Sequence, residues 1–253
     1  MLEIRELSAG YGGKLVLHDV SIEIPMGQVT VILGPNGCGK STLLKTICGI
    51  LKAEKGRIML NGENLLTLPQ KQIAQRVAYL SQSRQIPDIT VRRLVLHGRF
   101  PYLSYPRRYR PEDYAAADAA IENMGMVSFA DTPLNKLSGG QRQKVYIAMA
   151  LAQDTPVILL DEPTTYLDIS HQLQLMRQAK ELTAQGKTVV MIVHDLSHAM
   201  TTADHIVLMQ CGGVVVQGTA EELYTSGKID NVFRIKMGRA RTDRGFHYYC
   251  EEA

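Results

Sequence analysis

The sequence predicts an α/β fold, a parallel sheet core interrupted by a mostly helical insertion. Three observations carry this expectation. The apolar runs Val29–Leu33, Val157–Leu160 and Val189–Val193 are short and rich in branched residues, as are strands buried on both faces of a parallel sheet. From Val157 onward strand and helix signals alternate: strand 157–160, helix 169–184, strand 188–193, helix 195–202, strand 205–209. A glycine-rich loop separates strand 28–33 from a helix expected over Lys40–Ile50.

The other elements follow in order. Residues 1–24 read as two strands joined by the turn Gly10–Gly13, and further strands are expected around 57–60 and 77–81. From about 84 to 152 Pro, Arg and Tyr punctuate the chain, and Ala-rich helical patterns cover 112–124 and 139–152. The core is therefore assigned to 1–83 and 153–253 and the helical insertion to 84–152, within one domain of 253 residues. The tail after Gly218 is mixed. Its Lys228, Arg234, Lys236, Arg239, Arg241 and Arg244 read as a solvated basic surface.

Composition narrows the function classes. With 45% hydrophobic and 21% charged residues the chain has the make-up of an ordinary soluble domain. A net charge of +3 is too small to argue for nucleic acid. The start, Met-Leu-Glu-Ile-Arg-Glu-Leu, lacks the apolar run of a signal peptide, so export is not expected. No apolar stretch approaches the roughly 18 residues that span a bilayer. Cys38, Cys48, Cys211 and Cys250 form no CxxC pair and read as reduced cytosolic thiols. His194 and His198 are four apart, but no Cys or Glu completes a metal set beside them.

Gly34-Pro35-Asn36-Gly37-Cys38-Gly39-Lys40-Ser41, followed by Thr42, fits GxxxxGK[ST] between a strand and a helix. Its glycines let backbone N–H groups turn inward around a phosphate, and the helix that follows aims its positive end there. Lys40 adds a full charge for the β- and γ-phosphates, and the Ser41 hydroxyl can ligate Mg²⁺. Strand 157–160 ends in Asp161-Glu162, and ligands in such sheets sit at the carboxyl ends of strands. Asp161 is expected to hold Mg²⁺, and Glu162 to position or deprotonate the attacking water.

Leu137-Ser138-Gly139-Gly140-Gln141 contains an S-x-x-Q capping box opening helix 139–152. Capping alone does not explain adjacent glycines in a first helical turn, which cost roughly 1 kcal/mol each against Ala. A phosphate approaching the backbone would. The segment matches the signature of ABC ATPases, and the chain is identified as resembling that family over its whole length. The resemblance implies a P-loop (RecA-like) ATPase core with an N-terminal antiparallel β subdomain and an inserted α-helical subdomain. It implies ATP sandwiched with Mg²⁺ in a head-to-tail homodimer, with Ser138, Gly139, Gly140 and Gln141 on the γ-phosphate held by the other copy. It further implies that Tyr11 stacks on adenine and that Gln82 contacts Mg²⁺ and the attacking water. Asp168 then lies in the loop crossing the dimer interface, and His194 touches the γ-phosphate.

Pro163-Thr-Thr-Tyr-Leu-Asp-Ile-Ser-His-Gln172 and His97-Gly-Arg-Phe-Pro-Tyr102 resemble the ATPases of iron–siderophore, haem and cobalamin importers. Tyr102 departs from their usual His. This branch implies an integral membrane permease as partner, a substrate-binding protein acting indirectly, no nucleic acid, and a peripheral place on the cytoplasmic face of the cell membrane. Residues 84–110 hold seven arginines against Asp88 alone, which fits either a face turned to anionic headgroups or a solvated basic loop. The rival from another class is a soluble ABC ATPase acting on ribosomes or DNA. Such proteins carry two cassettes or a long coiled coil, and this sequence shows one cassette and no heptad run.

Overall fold

The computed structural model describes residues 1–82, 86–164, 169–243 and 245–252, without the side chain of His171. The chain opens with β1 (Leu2–Tyr11), β2 (Lys14–Ile24), β3 (Val29–Leu33) and α1 (Lys40–Ile47). β4 (Ala53–Leu60), β5 (Glu63–Asn64), α2 (Gln70–Ala74) and β6 (Val77–Leu80) follow. Three helices come next, α3 (Val91–His97), α4 (Pro111–Asn123) and α5 (Gly139–Ala152). The alternation then resumes with β7 (Val157–Leu160), α6 (Ile169–Ala184), β8 (Thr188–Ile192), α7 (Leu196–Thr202), β9 (His205–Gln210) and β10 (Gly213–Gly218). The end is formed by α8 (Ala220–Ser226), α9 (Lys228–Phe233), β11 (Ile235–Thr242) and β12 (Gly245–Glu252).

The main sheet has the order β10-β9-β3-β8-β7-β6. Every neighbouring pair is parallel except β9 with β10. Its strands are apolar at nearly every position because both faces are covered. Val31, Leu160, Met191 and Leu208 belong to one core, shared with α3 to α7. Their neighbours Ile32, Leu159, Val190 and Val207 belong to the other, under α1 and the second sheet. That second sheet is antiparallel, in the order β2-β1-β4-β5. The turn joining β1 to β2 holds Gly12 and Gly13, both at positive φ, as a tight two-residue hairpin turn requires.

Several expectations need adjustment. The helix after the glycine-rich loop stops at Ile47, because Gly49 at φ 73 reverses the chain. Strand 57–60 begins earlier, at Ala53, and Gly56 at φ 99 lets it pass the Glu6 carbonyl. The sequence reading lacked α2, α3 and β10. The mixed tail is two short helices and a β11–β12 hairpin whose Tyr248 is buried.

The arginine-rich stretch is not uniformly solvated either. Arg99 donates to Asp113 at 3.0 Å and to the Ala152 carbonyl at 2.9 Å, with Tyr102 stacked on its guanidinium. Burial alone would raise the Asp113 carboxyl, but the Arg110 N–H and Arg99 override it and hold it below the ordinary range. Arg92 pairs with Asp118 and Asp131. Among the described residues, no helix is long and apolar enough to cross a membrane.

Candidate functional site at four strand ends

The adjacent strands β3, β8, β7 and β6 each deliver functional groups at their carboxyl ends. Beyond β3 the loop Gly34–Gly39 turns into α1. Gly39 sits at φ 103 with a Cβ position only 2.8 Å from the Leu17 side chain, so any other residue there is both strained and crowded. Lys40 is 5% exposed, and its ammonium donates to the carbonyls of Gly34 at 2.7 Å and Pro35 at 3.0 Å. Burial pushes the neighbouring Cys38 thiol up, partly offset by Lys40. A cleft of about 150 Å³ opens here, lined by Val16, Asn36, Gly37, Gly39, Lys40, Ser41, Thr42 and Glu162.

Beyond β7, Asp161 is 2% exposed. The Ser41 hydroxyl donates to its Oδ1 at 2.8 Å and the Tyr79 hydroxyl to its Oδ2 at 2.8 Å. Burial, then the bond to Asp161, pushes the Tyr79 hydroxyl up, so it stays a donor. Glu162 follows at φ 49, a left-handed conformation uncommon outside glycine. Its Oε2 accepts from Gln82 Nε2 beyond β6 and lies 2.9 Å from His194 Nε2 beyond β8. Three residues far apart in sequence thus meet at one carboxylate. Tyr79 escaped the sequence reading, because an aromatic residue in an apolar strand reads as core. Its place beside Asp161 follows from the register of β6 on β7, which no local sequence pattern gives.

Chemically, Lys40 and Asp161 are a buried cation and a buried carboxylate. Among the described residues neither is bonded to an opposite charge. A polyphosphate and a hard divalent cation complete such a pair, and the donors present are all oxygens, as Mg²⁺ prefers.

The other predicted residues lie apart from this cleft. Tyr11 ends β1, half-exposed, and does not line it. Ser138 and Gln141 form the expected capping box: Gln141 N–H donates to Ser138 Oγ at 3.3 Å, and Ser138 N–H to Gln141 Oε1 at 2.9 Å. A Cβ on Gly139 would meet nothing within 4 Å. Asp168 lies outside the described residues.

The family model described as ABC transporter matches residues 17–165, more than half of the chain, from within β2 to just past the acidic strand end. The chain belongs to the ABC transporter family. It is an ATPase, the ATP-binding subunit of such a transporter. The iron(3+)-hydroxamate import ATP-binding protein FhuC of Bacillus subtilis (strain 168) is 43% identical to this ATPase, over 92% of this chain and 88% of its own. A solved metal-chelate type ABC transporter in an inward-facing conformation superposes on it with a TM-score of 0.84 at 27% identity, covering 98% of this chain and 95% of the other. The ATP-binding cassette MJ0796, solved as a dimer in a post-hydrolysis state with ADP and Pi, gives 0.75 at 28% identity, over 87% and 99%.

Proposed function

We propose that this ATPase powers import of an iron chelate, a siderophore first and haem or cobalamin next, through a separate membrane permease. The observation that carries the chemical half is the buried Lys40 and Asp161 beside a carboxylate held by Gln82 and His194. The names of the relatives support the cargo: FhuC serves iron(3+)-hydroxamate import, and the inward-facing transporter is of metal-chelate type.

In this reading the N–H groups of Asn36–Ser41 and the Lys40 ammonium grip the β- and γ-phosphates, with Gly34 and Pro35 leading into the loop, Thr42 behind it and Tyr11 against the adenine. Ser41, Asp161 and Gln82 would hold Mg²⁺, which supplies charge neutralisation on the phosphate oxygens. Glu162 orients the water and accepts its proton as the water oxygen attacks the γ-phosphorus. The bond to the bridging oxygen then breaks, releasing ADP and phosphate without a covalent enzyme intermediate. His194 steadies Glu162 and the γ-phosphate.

Two copies close head to tail, each placing Ser138–Gln141 and Asp168 against the other's ATP. The open space over Gly139 supports this, because neither its conformation nor its packing within the chain demands glycine. The insertion 84–152 passes the movement to the permease on the cytoplasmic side, where the cleft of about 420 Å³ between Arg93, His97, Tyr109 and Tyr114 offers a docking place. A binding protein on the far side would hand over the chelate. The test is uptake in cells lacking this gene. Wild type should restore growth on one iron chelate, and Glu162→Gln should not. Intact uptake of every iron chelate, haem and cobalamin in the deletion strain would refute the cargo.

A further inference from the structure

Tyr79 lies in β6, opposite Leu159 of the parallel strand β7. Side chains alternate along strands, so Val77 and Tyr79 share a face with Leu159 and Asp161. That face is the one under α1, where Val77 and Leu159 are core and Tyr79 packs against them. The phenol therefore approaches Asp161 from the side of β6, while α1 brings Ser41 to the other oxygen. Each hydroxyl donates at 2.8 Å, one to Oδ2 and one to Oδ1. With Asp161 2% exposed, water is a poor substitute for either donor. Two donors on opposite oxygens fix the rotation of the carboxylate plane, and with it the direction in which Oδ1 points.

We propose that Tyr79 is a positioning residue for ATP hydrolysis: its hydroxyl aims Asp161 Oδ1 toward Ser41 and so sets how tightly that pair holds the divalent cation. The inference rests on the assignment of Ser41 and Asp161 to the cation made above. The ring needs only an apolar neighbour to pack. The hydroxyl is the part that acts, so Tyr79→Phe isolates it. Groups that orient a metal-binding carboxylate commonly change metal affinity by about 10- to 100-fold when removed.

The experiment measures binding of a fluorescent ATP analogue to the purified full chain, first in EDTA and then with Mg²⁺ titrated in. Tyr79→Phe and Tyr79→Leu are read beside Asp161→Asn, with circular dichroism recorded for each. Both Tyr79 variants should raise the Mg²⁺ concentration at half-maximal enhancement about tenfold. They should leave affinity in EDTA unchanged, and the loss of turnover they cause should shrink as Mg²⁺ is raised. An unchanged Mg²⁺ midpoint overturns the proposal. So does a parallel loss of affinity in EDTA and in Mg²⁺, which marks a packing role, as does loss of the fold in both variants. If Asp161→Asn also leaves the midpoint unmoved, the cation assignment itself has failed, an outcome distinct from the failure of Tyr79 alone.

Discussion

The strand-end cluster and the turn before α5 differ in how the chain completes them. At the strand ends Gln82 and His194 each bond to Glu162, and Ser41 and Tyr79 to Asp161, across elements far apart in sequence. At Ser138–Gln141 the bonds are local, a capping box within four residues, with open space over Gly139. In the proposed reading the first region is a catalytic arrangement that a nucleotide enters, and the second is one wall of a site whose other wall belongs to a second copy. Chemistry and assembly should therefore be separable by substitution.

The largest effect is expected at the assembled region. Glu162→Gln keeps the shape and removes the proposed base, so phosphate release should fall by about 10²- to 10⁴-fold while nucleotide still binds. Near-normal release would strip the cluster of its role. Lys40→Ala comes next. It removes a cation that, among the described residues, bonds to two carbonyls and the Cys38 sulfur and to no carboxylate, so affinity should fall roughly 10- to 100-fold, as for loss of a charge-assisted hydrogen bond, with an unchanged circular dichroism spectrum. Retained affinity would show that the loop does not grip phosphate.

Gly139→Ala sharpens the contrast. Ala at a helical position is favoured over Gly by up to about 1 kcal/mol, and space for its methyl exists, so the melting temperature should hold or rise. Turnover should nevertheless fall, because in the proposed dimer the methyl would stand where the partner's phosphate approaches. Unchanged turnover would mean that nothing approaches Gly139.

What the sequence made legible follows the same division. Gly34–Ser41 and Asp161-Glu162 could be read because each is contiguous and its chemistry leaves few residue choices. Gln82 and His194 came only through family resemblance. Their meeting at Glu162 depends on strand order, which no local pattern encodes. Tyr79 was hidden for the same reason. Arg99 read as surface charge, yet its partner Asp113 and the Ala152 carbonyl come from other helices and draw it inward. At seven residues α3 is too short to show a helical period. β10 follows Gly212, and β11 and β12 pair with each other, in stretches whose pairing partners are set by the fold.

The smallest effect concerns stability alone. Burial lowers the His205 imidazole below its ordinary 6.5, against the Gln217 hydrogen bond that raises it, and its buried Nε2 has no partner among the described residues. A depressed histidine binds fewer protons folded than unfolded. Its contribution is therefore complete above about 6.5 and is lost as pH falls through that value toward the folded pKa. Thermal melts between pH 7.5 and 5.5 should show a decline that His205→Gln flattens. An identical decline in the variant would assign it to other groups.

The central claim, that each ATP site is built from two copies, is tested most directly by mixing. Lys40→Ala chains keep an intact Ser138–Gln141 turn, and Ser138→Arg chains keep an intact phosphate loop. Each pure homodimer should be inactive. An equal mixture forms half heterodimers with one sound site of two, so about a quarter of wild-type ATP turnover should return. Full activity in either pure variant, or none in the mixture while both variants still dimerise, would contradict the account.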